Sequence, residues 1–119
     1  MDFAKYGTKL AQKSIETPNS TCLLWTGTTR RESSKLYGVI NVLIGGRWRV
    51  IHVHRVAYYC KEQNIVSSEL DISHLCHNTL CIRGDHLSAE PHHVNNNRQV
   101  CLSKGQCMGH NNYSDCMLQ

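Results

Sequence analysis

The sequence predicts a small α+β domain in which short helices alternate with antiparallel strands, held together by metal ions and not by a large apolar core. Three observations carry that expectation. The chain has 119 residues, 40% of them hydrophobic, with one Phe and two Trp, and a single domain of this size buries little apolar surface. Seven Cys and eight His crowd into the same length. Helix-like and strand-like hydrophobic patterns follow one another, separated by Gly and Pro breaks.

Residues 2–14 predict an amphipathic helix, with Phe3, Tyr6, Leu10 and Ser14 on one side and Lys5, Lys9 and Lys13 on another. Thr17-Pro18-Asn19-Ser20 ends it. Leu36–Leu43 and Arg47–Val53 are rich in Val and Ile and read as two strands, with Gly45-Gly46 as a hairpin turn. Val56, Ala57 and Cys60 suggest a short helix over His54–Gln63, and Asp71–Leu75 a brief strand. Pro91 opens a helix to about Val100, as a first helical residue lacking an N–H to satisfy. Residues 1–119 form one domain: sheet and helix over 20–70, a Cys/His-rich motif over 71–100, and a C-terminal loop over 101–116. That loop has no apolar anchors and needs a staple.

Several function classes fall away. The apolar run Val39–Ile44 is far short of the roughly 20 residues of a membrane span. The opening MDFAKYGTKL lacks the apolar stretch of a signal peptide, so an intracellular chain is expected, the nucleus included. Charged residues are 18% of the chain, too few for a disordered polyelectrolyte. The net charge of +4 is mild, and thiolate–zinc pairing would leave it mildly basic, so charge alone does not argue for nucleic acid. Arg30, Arg31, Lys35, Arg47, Arg49 and Arg55 do cluster in the first half; a solvated face is the simpler reading of such a cluster, and a phosphate-tracking surface the sharper one.

An odd Cys count without a leader argues against a disulfide scaffold and for zinc. Cys76, Cys81 and His86 offer three ligands within eleven residues. The fourth is Cys22 or Cys60. Cys60 sits in an apolar helical stretch, where a thiol behaves as a small hydrophobe, and Cys22, after a loop, is the better placed. Cys101, Cys107, His110 and Cys116 supply a second complete set. Both sets have four protein ligands, which points to folding and not to catalysis.

His74 stands two residues before the first ligand of the zinc loop, where a fixed backbone carbonyl could set its tautomer. Asn95, Asn96 and Asn97 are poor helix formers, yet an amide oxygen suits magnesium, which keeps several waters and takes few protein ligands. His92, His93, Asn96 and Asn97 read more simply as helix surface, and Trp25 and Trp48 as core. Arg83-Gly84-Asp85 lies inside a zinc loop and carries no adhesion reading.

The run Ser73-His74-Leu75-Cys76-His77-Asn78-Thr79-Leu80-Cys81, followed by His86-Leu87, Asn95, Arg98 and Cys101, resembles the His-Cys box homing endonucleases, members of the ββα-metal (His-Me finger) nucleases. The ligand order Cys, Cys, His, Cys continues to Cys116, and upstream Cys22, Tyr37-Gly38 and Arg47-Trp48 follow in order. The resemblance implies a zinc-stabilised ββα-metal domain cutting double-stranded DNA. In it His74 would be the general base for a water, Asn95 the sole protein ligand of one magnesium ion, and Arg47 the neutraliser of the phosphate. A backbone carbonyl near Cys81 would orient His74, two structural zinc ions would staple the fold, and the products would carry 5′-phosphate and 3′-hydroxyl ends. It also implies a DNA-reading sheet between Tyr37 and Val53, with Asn41, Arg47 and Arg49 near DNA, although a solvated strand face explains the same residues.

Two features depart from the family pattern. Gln99 replaces an Asn, and the chain stops three residues after Cys116, without the C-terminal tail exchanged in the family's homodimers. A homodimer would cut both strands and a monomer would nick one. The competing expectation is a catalytically silent, zinc-stabilised DNA-binding module. Retention of both His74 and Asn95 favours the enzyme, and the basic cluster disfavours a zinc module for protein contacts alone.

Overall fold

The computed structural model describes residues 1–118. Helix α1 (Phe3–Gln12) is capped by Asp2, whose carboxylate accepts from the Lys5 N–H at 2.9 Å, and it buries Tyr6 and Leu10. It stops earlier than its periodicity suggests: Ser14 opens strand β1 (Ser14–Glu16), which pairs antiparallel with β2 (Leu23–Trp25), Ser14 opposite Trp25. Backbone pairing to Trp25 thus takes Ser14 away from the helical face.

Strands β3 (Thr29–Glu32), β4 (Lys35–Ile44) and β5 (Arg47–His52) form an antiparallel sheet in that order. The β4–β5 turn is Gly45-Gly46, with φ of 58° and 76°; positive φ at both central residues matches the strand twist and favours glycine. Beyond the short β3, the open edge of β4 is met by α1, where the Leu43 N–H donates to the Tyr6 hydroxyl at 2.8 Å.

Helix α2 (Val53–Glu62) follows β5 directly and turns Val53 and Val56 into the core beside Val42, all three fully buried. Trp25 completes this core between two glycines: a Cβ at Gly38 would lie 2.5 Å from Trp25 Cδ1, and one at Gly27 2.3 Å from Cζ2. Trp48, expected in the core, is 62% exposed. Its partner across the hairpin is Leu43, the next pair on that face is Asn41 with Val50, and among the described residues no layer covers this outer half of the sheet.

The C-terminal half is a β-β-α unit: β6 (Asp71–His74), a single 3-10 turn (Gly84–His86), β7 (Leu87–Glu90) and α3 (His92–Lys104). β6 and β7 pair antiparallel, with His74 opposite Leu87. Helix α3 runs past Val100 to end at Gly105, φ 69°, which places Cys101 on the helix. A fully buried ion pair joins the two: Arg98 Nε and Nη2 donate to the Glu90 carboxylate at 2.6 and 2.9 Å. Among the described residues no helix is long and apolar enough to cross a membrane.

Candidate functional site

Two clusters of Cys and His offer metal-ligand sets. Cys22, Cys76, Cys81 and His86 bring one ligand atom each within 4.8 Å of one another, and so do Cys101, Cys107, His110 and Cys116. Zinc–sulfur and zinc–nitrogen bonds meeting at a tetrahedral angle leave sulfur and nitrogen about 3.6 Å apart. The matching separations are 3.7 Å (Cys22) and 3.5 Å (Cys81) from His86 Nδ1, and 3.6 Å (Cys101) and 3.4 Å (Cys116) from His110 Nε2. A hydrogen bond from Cys76 holds the Cys81 thiol down to about 5, while the same contact, with burial, drives Cys76 up. Thiols that share protons in this way are a donor set that a dication satisfies by displacing the protons.

The fourth ligand of the first site is Cys22 because β2 carries it there. Trp25 N donates to Leu80 O at 2.9 Å and Ile82 N to Leu23 O at 2.7 Å, which locks β2 onto the loop bearing Cys81. Cys60 instead packs against the main core, its thiol 3.6 Å from the Phe3 carbonyl. Around the second site, Arg98 Nη1 donates to Cys116 Sγ at 3.4 Å, and the backbone N–H groups of Met108 and Cys116 donate to Cys101 and Cys107 Sγ, each at 3.3 Å. Such donors hold thiolate charge in place.

Between the sheet and the β-β-α unit lies a cavity of about 860 Å³. Tyr37, His52, His54, Asp71, Ser73, His74 and Asn95 all line it. His74 and Asn95, twenty-one positions apart in the chain, therefore face one space. The His74 ring bonds to the backbone of Cys81, inside the first zinc loop, and its Nε2 is a buried nitrogen with no protein partner. Burial pushes His74 down to about 4, against the raising effect of that backbone bond, so the ring is neutral at pH 7. A neutral imidazole bonded to a backbone carbonyl through one nitrogen presents a lone pair at the other.

Asn95 is held at both ends of its carboxamide. Nδ2 donates to Asp71 Oδ2 at 3.1 Å, and Oδ1 accepts from the Ser73 hydroxyl at 2.8 Å. A carboxylate only accepts, so Asp71 decides which end of the amide is which. The same Asp71 oxygen is 2.7 Å from His92 Nδ1. Asp71 and Ser73 share a face of β6, as the strand's period of two requires, and His74 leaves from the other. The donors gathered here are hard oxygens, which fit magnesium and do not fit a thiophilic metal.

On the sheet side, Tyr37 stacks on His52 at 5.0 Å, His52 on His54 at 5.3 Å, and His54 lies 4.2 Å from His74. His52 Nε2 is 2.7 Å from Glu32 Oε2, and this bond leads the causes that lower the Glu32 carboxyl. His54 is held well below its ordinary value, first by burial and then by the electrostatic influence of the neighbouring His74 and His52. Sequence reasoning missed this histidine stack, although His52-Val53-His54 at the strand end was its visible trace.

Arg47, Arg49 and Asn41 are placed elsewhere. Arg47 pairs with Ile44 beside the turn and Arg49 with Val42, on the sheet face opposite to His52 and Val39. Asn41, opposite Val50, is on the face of His52. From Arg47 to His52 are five strand residues, about 17 Å, and Arg47 does not line the cavity.

Against known proteins, residues 21–117 match a family model described as the zinc-binding loop region of homing endonuclease. Comparison with curated proteins and with solved structures gives no match.

Proposed function

The chain belongs to the homing-endonuclease zinc-binding-loop family, and from that premise we propose that it is a magnesium-dependent DNA endonuclease acting at the cavity shared by His74 and Asn95. The observation that carries this reading is the convergence of a buried, unpartnered imidazole nitrogen and an oriented carboxamide on one polar cavity. Hydrolysis of a phosphodiester needs an activated water, neutralised phosphate charge and a stabilised leaving oxygen. His74 Nε2 takes the proton from the attacking water, while the Cys81 backbone fixes the ring. Asn95 Oδ1 would be the protein ligand for magnesium, with Asp71 keeping that oxygen turned from the carboxylate. Bound there, the ion would supply positive charge beside the phosphate and the leaving 3′ oxygen. Loss of the 3′ oxygen leaves 5′-phosphate and 3′-hydroxyl ends.

The β4–β5 hairpin is the proposed DNA-reading ribbon. A two-stranded ribbon fits the major groove, and one inserted there meets DNA on both faces. Arg47 and Arg49 serve one face, and Asn41 with Trp48 the other. The two zinc sites hold the cavity walls, and neither has an open position for chemistry.

The test is supercoiled plasmid incubated with magnesium and native, His74→Ala or Asn95→Ala protein. Nicked or linear product from the native protein alone is the expected result, and nicked circle without linear product marks a monomer working on one strand. DNA binding without cleavage by the native protein would make the chain a silent binding module.

A further inference from the structure

Phosphoryl chemistry needs a fixed cation at the phosphate. By placement, Arg47 is a poor candidate, being about 17 Å of strand away from the cavity end of β5 and on the opposite sheet face. Among the described residues, two cavity-lining side chains carry permanent positive charge, Lys35 and Arg55. Arg55 is committed to the fold: Nε donates to the Tyr59 hydroxyl at 2.6 Å, Nη1 to Leu70 O at 2.7 Å and Nη2 to Ser67 O at 2.7 Å. Lys35 is different. Its ammonium donates to Gln99 Oε1 at 2.7 Å, a neutral partner, and that bond uses one of three donors.

We propose that Lys35 is the phosphate-neutralising residue of this cavity, its ammonium steered by Gln99 from α3 and its two remaining donors directed at the scissile phosphate. The inference rests on the nuclease reading and specifies how that site recognises its substrate. Lys35 opens β4 on the sheet side, and Gln99 lies one helical turn beyond Asn95 on α3, so the contact spans the cavity mouth. Residues four apart share a helix face. Lys35 and His74 line the same cavity. The two methylenes of Gln99 carry its amide from α3 to the sheet side, where it accepts from Lys35.

The experiment measures plasmid nicking at saturating DNA, alongside DNA affinity by gel shift, for native protein and for Lys35→Met, Lys35→Arg, Gln99→Leu and Arg47→Ala. Each variant is first shown to hold two zinc ions per chain. Lys35→Met is expected to lose about 100-fold in nicking rate, the usual scale for one lost electrostatic contact to a transition state, with DNA affinity little changed. Lys35→Arg should recover most of the rate, Gln99→Leu should fall between the two, and Arg47→Ala should weaken DNA binding. A native rate in Lys35→Met with the loss in Arg47→Ala would overturn the proposal and leave the nuclease reading standing. A native protein that never nicks would remove both.

Discussion

At the residue scale, His74 and Asn95 are side chains that the protein, and not the solvent, orients. The His74 ring is bonded to the Cys81 backbone on one side and keeps Nε2 unpartnered on the other. His74→Ala is therefore expected to lose cleavage by about 100-fold or more, the scale of general-base catalysis, while zinc content and melting temperature stay close to native. A parallel loss of zinc would make His74 a folding residue. Asn95 depends on Asp71 for its amide orientation. Asp71→Ala should raise the magnesium concentration for half-maximal nicking and leave the rate at saturating magnesium largely intact. Broadening of the Asn95 side-chain NH2 signals by manganese should weaken in parallel, and unchanged magnesium dependence would contradict the orienting role. Both residues were legible in the sequence, because the Ser73–Cys81 run and the Asn triplet are unusual as packing material. Asp71 was not: an isolated carboxylate has no local signature, and its partners Asn95 and His92 lie more than twenty positions away.

At the scale of elements, α1, β4, β5, α2, β6 and α3 declared themselves through periodicity, Gly-Gly and Pro91, with ends displaced by a few residues. The strands β1, β2, β3 and β7 did not. They are three or four residues long, too short for alternation to register, and their pairing partners define them. β2 matters most, because its bonds to Leu80 and Ile82 bring Cys22 to the first zinc site. The Trp25 slot gives this scale a prediction. Gly38→Ala places a methyl group against the indole, and overpacking of this kind costs about 1–3 kcal/mol, readable as a lower midpoint in urea. A neutral effect would mean that Trp25 can move. The Glu90–Arg98 pair gives another. Glu90→Gln strands a buried guanidinium beside Cys116, and breaking such a pair costs about 3–5 kcal/mol. An unchanged melt in that variant would show the pair to be dispensable.

At the scale of the molecule, two Cys/His clusters that could each hold a metal ion stand where a larger protein would have more core. The second ligand set was readable from spacing alone, whereas in the first the choice of Cys22 over Cys60 rested on the apolar setting of Cys60. The cavity was not readable, because it exists only where the Tyr37–His52 side of the sheet meets the β-β-α unit. Removing zinc with a chelator should abolish the cooperative melt, and a metal-stripped chain that melts as before would refute the stapling role. Acid should act on the fold as well. His54 is kept neutral by burial and by neighbouring His74 and His52, whereas in the unfolded chain it accepts a proton near pH 6.5. The unfolded state then binds more protons, so the contribution is full above about pH 6.5 and is lost as pH falls below it. Melting temperatures between pH 7.5 and 5.5 should fall more steeply for the native chain than for His54→Leu; parallel curves would contradict this.

The most direct test of the central claim, that His74 and Asn95 work on one phosphate in one cavity, is a double-mutant cycle on magnesium-dependent plasmid nicking. Residues acting as a unit are not additive. The account predicts that His74→Ala/Asn95→Ala cleaves no more slowly than the slower single variant. Native-rate cleavage by either single variant, or losses that multiply in the double variant, would contradict it.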